Sequence, residues 1–155
     1  MVGGVLPIKR LELLMIGPQV GRRLTWIIAS SKRVDECART MTKRLQVLVC
    51  DGPSCGLCYE SEQLVEHIEA RIAKSEALKG RVFVTNLTCF GRCDEGPNML
   101  VRELEDGEDG ELEPDFEKLE GVRGLYLGMD VARVDRMLDE HCMRGQPIEA
   151  WAERY

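Results

Sequence analysis

The pattern of hydrophobic and polar residues becomes regular only after residue 43, where it predicts a strand, a helix and a second strand. Residues 44–50 form a short apolar run that predicts a buried strand. Residues 60–78 place apolar side chains at helical spacing and predict an amphipathic helix, with Gly80 placed to end it. Residues 81–88 are rich in β-branched and aromatic side chains and predict another strand. A strand–helix–strand unit with short connections implies a parallel pair joined by a right-handed crossover.

The second half of the chain predicts two further strands and a second helix. The strands fall at residues 98–104 and 123–128, and the acidic residues 105–120 between them read as a solvated loop. Asp130 is placed to cap a helix that runs to about Cys142. Together these elements predict an α/β fold, a thioredoxin-like mixed sheet of about four strands with two main helices.

Residues 1–40 differ from the rest of the chain in both pattern and charge. Glycine and proline interrupt every candidate element there, and residues 1–44 carry nine Lys/Arg against three Asp/Glu. Such a composition predicts a basic, weakly ordered N-terminal extension at 1–40. The functional domain is predicted at 41–155, beginning near Met41. A transit peptide is the alternative interpretation of the extension.

Charge, hydropathy and cysteine usage narrow the classes of function. Residues 45–155 carry twelve Lys/Arg and twenty-four Asp/Glu, which argues against a nucleic-acid partner and favours a partner protein with a basic docking surface. No apolar run reaches about 18 residues, so no membrane span is expected. The number of cysteines, seven, is odd, and no secretory signal is convincing. These features predict a cytoplasmic protein whose clustered thiols bind metal or carry out redox chemistry.

Four of the cysteines form two tight pairs, and each pair follows a predicted strand. Short spacers that contain Gly52 and Gly91 separate the members of each pair. Glycine tolerates unusual dihedral angles and lets peptide N–H groups approach the sulfurs of a cluster. Four thiols from two strand-end loops suit a metal or iron–sulfur centre. The pairs are Cys50 with Cys55 and Cys89 with Cys93.

The chain resembles the thioredoxin-like 2Fe–2S ferredoxins, which are related in fold to the small iron–sulfur subunit of NADH dehydrogenases and NAD-linked hydrogenases. Residues 49–55, 89–97 and 134–149 carry the resemblance, which covers about residues 42–153. The chain departs from the family in its longer acidic stretch and in having Tyr59 where a glycine is frequent. The resemblance implies a homodimer with one 2Fe–2S cluster near the surface of each chain. The ligands that it implies are Cys50, Cys55, Cys89 and Cys93.

Cys58 leaves the identity of the second ligand open. With Cys50, Cys55 and Cys89 it reproduces the ligand spacing of plant-type ferredoxins. The helix predicted after it argues against that fold, in which Cys93 would also have no role. Within the thioredoxin-like fold, Cys58 can replace Cys55 as a ligand because the loop between them is short.

Two other interpretations of the thiols also remain open. A structural zinc site would use the same four cysteines. A thioredoxin-type dithiol would use Cys55 and Cys58, which leaves the second pair unexplained. Cys37 has no predicted role. The remaining predictions are a packed core thiol at Cys142, surface or capping roles for His67 and His141, and packing of the tail or of a dimer contact by Trp151 and Tyr155.

The function predicted from these features is electron transfer by a ferredoxin that carries a single 2Fe–2S cluster. The sequence offers four clustered thiols and an acidic surface but no candidate general acid, base or substrate pocket, so an enzyme is not expected. Two alternatives stay open. One is a 2Fe–2S subunit of an NAD-linked dehydrogenase or hydrogenase, and the other is a thioredoxin-like dithiol redox protein.

Overall fold

The computed structural model describes residues 43–155, which form a five-stranded mixed sheet with two helices. This confirms the predicted α/β class, with one strand more than expected, because the last strand has only two residues and shows no recognisable alternation. The predicted extension, the domain start near Met41 and Cys37 lie outside the described residues. The strands are β1 Leu45–Cys50, β2 Val82–Leu87, β3 Met99–Glu103, β4 Arg123–Tyr126 and β5 Glu153–Arg154, in the sheet order β2-β1-β3-β4-β5.

Strand β1 lies inside the sheet, and all of its residues are buried. It pairs in parallel with β2, as predicted, and antiparallel with β3. The parallel register sets Cys50 opposite Leu87, so the two strands end at the same edge of the sheet. Because β1 is covered on both faces, its sequence reads as a continuous apolar run interrupted only by Gln46.

Two helices cover one face of the sheet. Helix α1 spans Ser61–Lys74, and helix α2 spans Val131–Met137 and continues as a π-helical turn over Leu138–Met143. Their apolar side chains form one buried cluster with alternate residues of β1, and we call this side the helix face. Among the described residues, no helix is long and apolar enough to cross a membrane.

The helix boundaries follow the local capping signals only in part. The Asp130 carboxylate accepts a hydrogen bond from the Arg133 backbone N–H at 2.8 Å, which confirms the predicted N-cap of α2. Helix α1 ends at Lys74, earlier than the predicted residue 78. Gly80 therefore does not end the helix; it lies in the turn that follows, with φ of 70°.

The opposite side of the sheet, here called the second face, has a smaller apolar cluster. Leu48, Leu100 and Leu125 of the strands contribute to it, together with Cys50 and Cys55. No long helix among the described residues covers this cluster. Leu119, Phe90 and the chain around them cover it instead.

Residues 105–120, the acidic segment, are anchored on the second face. Gln46 is fully buried in β1, and its side-chain amide nitrogen, Nε2, donates to the backbone carbonyls of Gly110 and Leu112 at 2.9 and 2.8 Å. Arg102 donates to Gln46 Oε1 at 2.8 Å and to both carboxylate oxygens of Glu108. The prediction of a solvated loop is right for most of the acidic side chains but wrong for the backbone, which is held by buried polar groups.

Candidate metal centre

The two ligand loops begin side by side because β1 and β2 are parallel. Residues after Cys50 form a short loop and then a π-helical turn over Ser54–Cys58, which supplies Cys55. Residues after Leu87 supply Cys89 and then a short 3₁₀ turn that begins at Cys93. The sheet edge thus brings together two pairs of thiols that are about 40 residues apart in the sequence.

The distance within one pair matches joint binding to one metal ion. The sulfurs of Cys89 and Cys93 lie 3.6 Å apart. Two thiolates bound to one tetrahedral ion through bonds of about 2.3 Å would lie roughly 3.8 Å apart. The second ligand loop therefore already holds its two thiols at the spacing that a shared ion requires.

The first pair lies deeper in the protein. Cys50 and Cys55 are 1% and 0% exposed, whereas Cys89 and Cys93 are half-buried. Burial, followed by a hydrogen bond with the Cys50 thiol, raises the pKa of Cys55 to about 11. Charge on Cys93 also raises the pKa of Cys55, so the two pairs are close enough to interact electrostatically. The quartet thus spans from the apolar cluster of the second face to the surface.

Backbone donors next to the sulfurs favour their negatively charged form. The Gly91 N–H donates to Cys89 Sγ at 3.2 Å, and this bond is the main reason that the pKa of Cys89 is lowered. A hydrogen bond from the Asn98 backbone opposes the increase in the pKa of Cys55. The pKa of Cys93 is raised, first by its hydrogen bond with Cys89. Backbone N–H donors like those of Gly91 and Asn98 are the groups through which a protein stabilises the charge of bound thiolates.

Three glycines beside the thiols meet conformational or steric requirements of the ligand loops, and two of them were predicted. Gly91 has φ of 75°, a left-handed conformation that side chains disfavour. A Cβ at Gly52 would lie 2.9 Å from the Thr88 carbonyl oxygen and 3.5 Å from Cys89 Sγ. In the sequence, Gly96 and Pro97 predict only a stiff turn before the third strand. A Cβ at Gly96 would lie 2.8 Å from Cys55 Sγ, so this glycine belongs to the site.

Asn98 joins the two ligand loops and was missed by the sequence interpretation. Its carbonyl oxygen accepts from the Cys50 N–H at 3.0 Å, and its side-chain Nδ2 donates to the Arg92 carbonyl at 2.6 Å. The residue is fully buried, although asparagine is seldom buried unless its polar atoms are satisfied. A polar residue at the start of an otherwise apolar strand, just after Gly96 and Pro97, is the signal that could have identified it.

Cys58 lies apart from the other four thiols. Its side chain is exposed, while Cys55 is buried against Cys50. Within residues 43–155, no hydrogen bond connects Cys58 to Cys55 or to the rest of the quartet. The structure thus places Cys55, and not Cys58, beside Cys50, while the identity of the second ligand stays a prediction.

The four thiols provide the number and type of donors that a binuclear cluster needs. Among residues 43–155, no three His, Cys, Asp or Glu side chains are placed to hold one metal ion. The thiols are instead supplied in twos, one pair from each ligand loop. A 2Fe–2S cluster takes four thiolates, and two of them bind each iron. The donor set, the glycines beside it and the N–H donors therefore fit this group.

Other residues singled out in the sequence have structural positions away from the quartet. Cys142 is fully buried in the helix-face cluster, which confirms the predicted core thiol. His141 was expected in a surface or capping role, but it is buried, with Nδ1 2.8 Å from the Tyr126 hydroxyl. His67 Nε2 lies 2.8 Å from Asp135 Oδ1, between the helices.

Solved structures of one protein are similar to the described fold. The wild-type thioredoxin-like [2Fe-2S] ferredoxin from Aquifex aeolicus aligns with a TM-score of 0.54 and 19% identity, over 74% of this chain and 100% of that one. A second structure of a thioredoxin-like [2Fe-2S] ferredoxin from the same organism aligns with a TM-score of 0.53 and 19% identity, over 72% and 91% of the two chains. At this identity the likeness shows the fold, which is that of the family the sequence resembles. The sequence matches no protein-family profile and no curated protein.

Proposed function

We propose that this protein is a one-electron carrier that binds a single 2Fe–2S cluster through Cys50, Cys55, Cys89 and Cys93. The observation that carries the proposal is the convergence of two thiol pairs at one sheet edge, with Cys89 and Cys93 at 3.6 Å. When bound, a 2Fe–2S cluster accepts and releases one electron. The similarity in fold to solved 2Fe–2S ferredoxins supports the proposal.

The residues around the quartet have distinct tasks in this function. The buried pair, Cys50 and Cys55, keeps water from one side of the site. The N–H of Gly91 donates to the sulfur of Cys89 and stabilises negative charge on it. Hydrogen bonds to sulfur and exposure to solvent are the main means by which a protein sets a reduction potential. Cys89 and Cys93, which are half-buried, form the side of the site that is partly open to solvent.

Several wider features belong to the same proposal. The protein acts as a stand-alone cytoplasmic carrier, it forms a homodimer, and its redox partner has a basic docking surface. The excess of Asp/Glu over Lys/Arg in residues 45–155 supports the basic partner, because opposite charges steer association. Sedimentation of the purified protein at several concentrations tests the dimer. Co-purification with a flavin-binding protein would instead favour a fixed subunit of an NAD-linked dehydrogenase.

Anaerobic reconstitution with iron and sulfide tests the proposed cluster. We expect about two iron and two acid-labile sulfide per chain, with the absorbance and the electron paramagnetic resonance signal of a 2Fe–2S centre after reduction. Cys58→Ser should leave both spectra unchanged, whereas Cys55→Ser should alter or abolish them. One zinc per chain without sulfide would contradict the proposal, and the opposite response of the two variants would make Cys58 the ligand.

A further inference from the structure

The turn that supplies Cys55 ends in an exposed apolar tip. Cys55 is fully buried, yet Leu57 is 84% exposed and Tyr59 is 42% exposed, with exposed Cys58 between them. Leu57 is the most exposed of the large hydrophobic side chains in the described part of the chain. A single exposed leucine is ordinary, but an exposed leucine and tyrosine two residues apart, directly beside a redox centre, are a candidate contact surface.

The backbone of this tip is held in place. The Gly56 N–H donates to the Gly52 carbonyl at 2.7 Å, and the Tyr59 N–H donates to the Ser54 carbonyl at 3.2 Å. The Tyr59 ring lies against Gly96, where a Cβ would come within 3.0 Å of the ring. A surface that is already formed loses less conformational entropy on binding than a mobile loop does. Residues 57–59, the tip, therefore suit a rapid and reversible contact.

Carboxylates without ion-pair partners flank the tip in the sequence. Asp51, Glu60 and Glu62 are exposed, and none of them has an ion pair among the described residues. The nearest cation in the second ligand loop, Arg92, is paired with Glu95 at 2.6 Å. An apolar centre within a charged rim is the usual anatomy of a protein–protein interface. The sign of the rim selects a partner with Lys and Arg around its own apolar patch.

We propose that the tip, residues 57–59, is the docking contact for a basic redox protein that exchanges an electron at the thiol quartet. This inference rests on the proposed function and specifies which surface performs it. Leu57 enters an apolar depression of the partner, and Asp51, Glu60 and Glu62 face its cations. The acidic segment carries more carboxylates, and its exposed Leu112 and Phe116 make it the competing surface.

The test uses a basic c-type cytochrome as the electron acceptor. The reconstituted full chain is reduced and freed of reductant, and then mixed with the ferric cytochrome in a stopped-flow instrument. One electron passes from each reduced chain to one ferric haem, which becomes ferrous. We expect Leu57→Ser to lower the second-order rate constant about fivefold, and the matched variant Leu112→Ser to leave it within about 1.5-fold of wild type. The reduction potential of both variants is measured to show that the driving force is unchanged.

A second comparison locates the charges that steer the partner. The triple variant Asp51→Asn/Glu60→Gln/Glu62→Gln should weaken the dependence of the rate on ionic strength. The matched triple variant Asp106→Asn/Glu117→Gln/Glu120→Gln removes the same net charge from the acidic segment. Because both variants change net charge equally, a difference between them reports position and not total charge. The dependence of the rate on ionic strength should weaken more in the tip variant than in the acidic-segment variant.

Each result decides between the proposals. Equal rates for wild type and Leu57→Ser, or a larger effect of the acidic-segment variants, would overturn docking at the tip while leaving the electron carrier intact. A wild-type protein that assembles no 2Fe–2S absorbance would overturn the proposed function and, with it, this inference. A smaller rate constant together with a changed potential in Leu57→Ser would show that the side chain acts on the centre itself, and would also overturn docking.

Discussion

The two faces of the sheet are covered by different kinds of structure. On the helix face, α1 and α2 pack apolar side chains against alternate residues of β1. On the second face, a smaller apolar cluster includes Cys50 and Cys55, and the acidic segment is attached through Gln46 and Arg102. The stability of the helix face thus depends mainly on the close packing of apolar side chains. The second face depends on individual hydrogen bonds, each of which needs both of its partners.

This difference bears on the candidate metal centre, since the buried thiols belong to the second face. A side chain removed from the helix face leaves a cavity on the side of the sheet opposite to the cluster that contains Cys50 and Cys55. A polar group removed from the second face releases a segment whose Glu113 accepts hydrogen bonds from Thr88, the residue before Cys89. The acidic segment therefore also supports the ligand loop that carries Cys89.

The largest expected effect comes from breaking the polar anchor of the second face. Arg102 is 6% exposed and donates to Gln46 and Glu108, so Arg102→Ala leaves buried Gln46 without this donor and leaves the mostly covered Glu108 carboxylate with only Lys118 as a cation partner. We expect the free energy of unfolding in urea to fall by about 3–5 kcal/mol. Arg71→Ala removes a partly exposed cation that links the two helices, and should cost about 1 kcal/mol or less. Similar losses of unfolding free energy in the two variants would show that the two faces do not differ in their dependence on polar contacts.

The pH dependence of stability should differ between the faces, because each has one strongly shifted group. Hydrogen bonds from Arg102 lower the pKa of Glu108 from 4.5 to about 2. The folded state prefers the ionised carboxylate, so this contribution is lost as the pH falls from about 4.5 to about 2. On the helix face, burial lowers the pKa of His141 from 6.5 to about 4, although the charge on Glu103 opposes the change. The folded state prefers the neutral ring, so stability falls between about pH 6.5 and pH 4.

Substitution of Glu108 or His141 should abolish the pH dependence of stability that the replaced group causes. The effect should be on the order of 2 kcal/mol for His141. Urea unfolding is measured at intervals of pH for wild type, His141→Gln and Glu108→Gln. The His141 variant should lose less stability than wild type between pH 6.5 and 4. The Glu108 variant should be less stable at neutral pH and should lose less below pH 4.5. If the variants' plots of unfolding free energy against pH run parallel to that of wild type in both pH ranges, the pH dependence does not come from Glu108 and His141.

The smallest expected effect on stability concerns the edge of the second face, at Tyr155. Its ring packs edge-on against Phe90 with centroids 5.7 Å apart, and its backbone pairs with Gly121 and Val122. Tyr155→Ala should cost about 1 kcal/mol. It should also raise the reduction potential of the reconstituted protein, because water stabilises the more highly charged reduced state. Tyr155→Phe keeps the ring and should restore both values; a phenylalanine variant that behaves like the alanine variant would assign the effect to the hydroxyl.

Local patterns predicted the helix face and the thiol pairs well. The helical spacing in residues 60–78 and the apolar run of β1 depend on neighbours in sequence, so they are visible without a structure. The two cysteine pairs were recognised because short spacers with Gly52 and Gly91 accompany them. The structure brings all four thiols to one sheet edge, while their role as ligands stays a prediction.

Contacts between distant residues account for what the sequence did not reveal. The acidic segment read as solvated because its composition is polar, yet Gln46 reaches Leu112 across 66 positions of sequence. Gly96 and Asn98 looked like parts of a turn and a strand, because their contacts with Cys55 and Arg92 exist only after the sheet has formed. The burial of His141 depends in the same way on Tyr126.

The position of Asn98 has a consequence for how the thiols become reactive. This one residue is hydrogen-bonded to Cys50 in the first ligand loop and to Arg92 in the second. The loops are therefore mechanically linked, although a helix and a strand separate them in the chain. Opening of one loop breaks the support of the other. Alkylating reagents should thus reach the buried thiols of Cys50 and Cys55 only when the two loops open together, whereas exposed Cys58 reacts independently from the start.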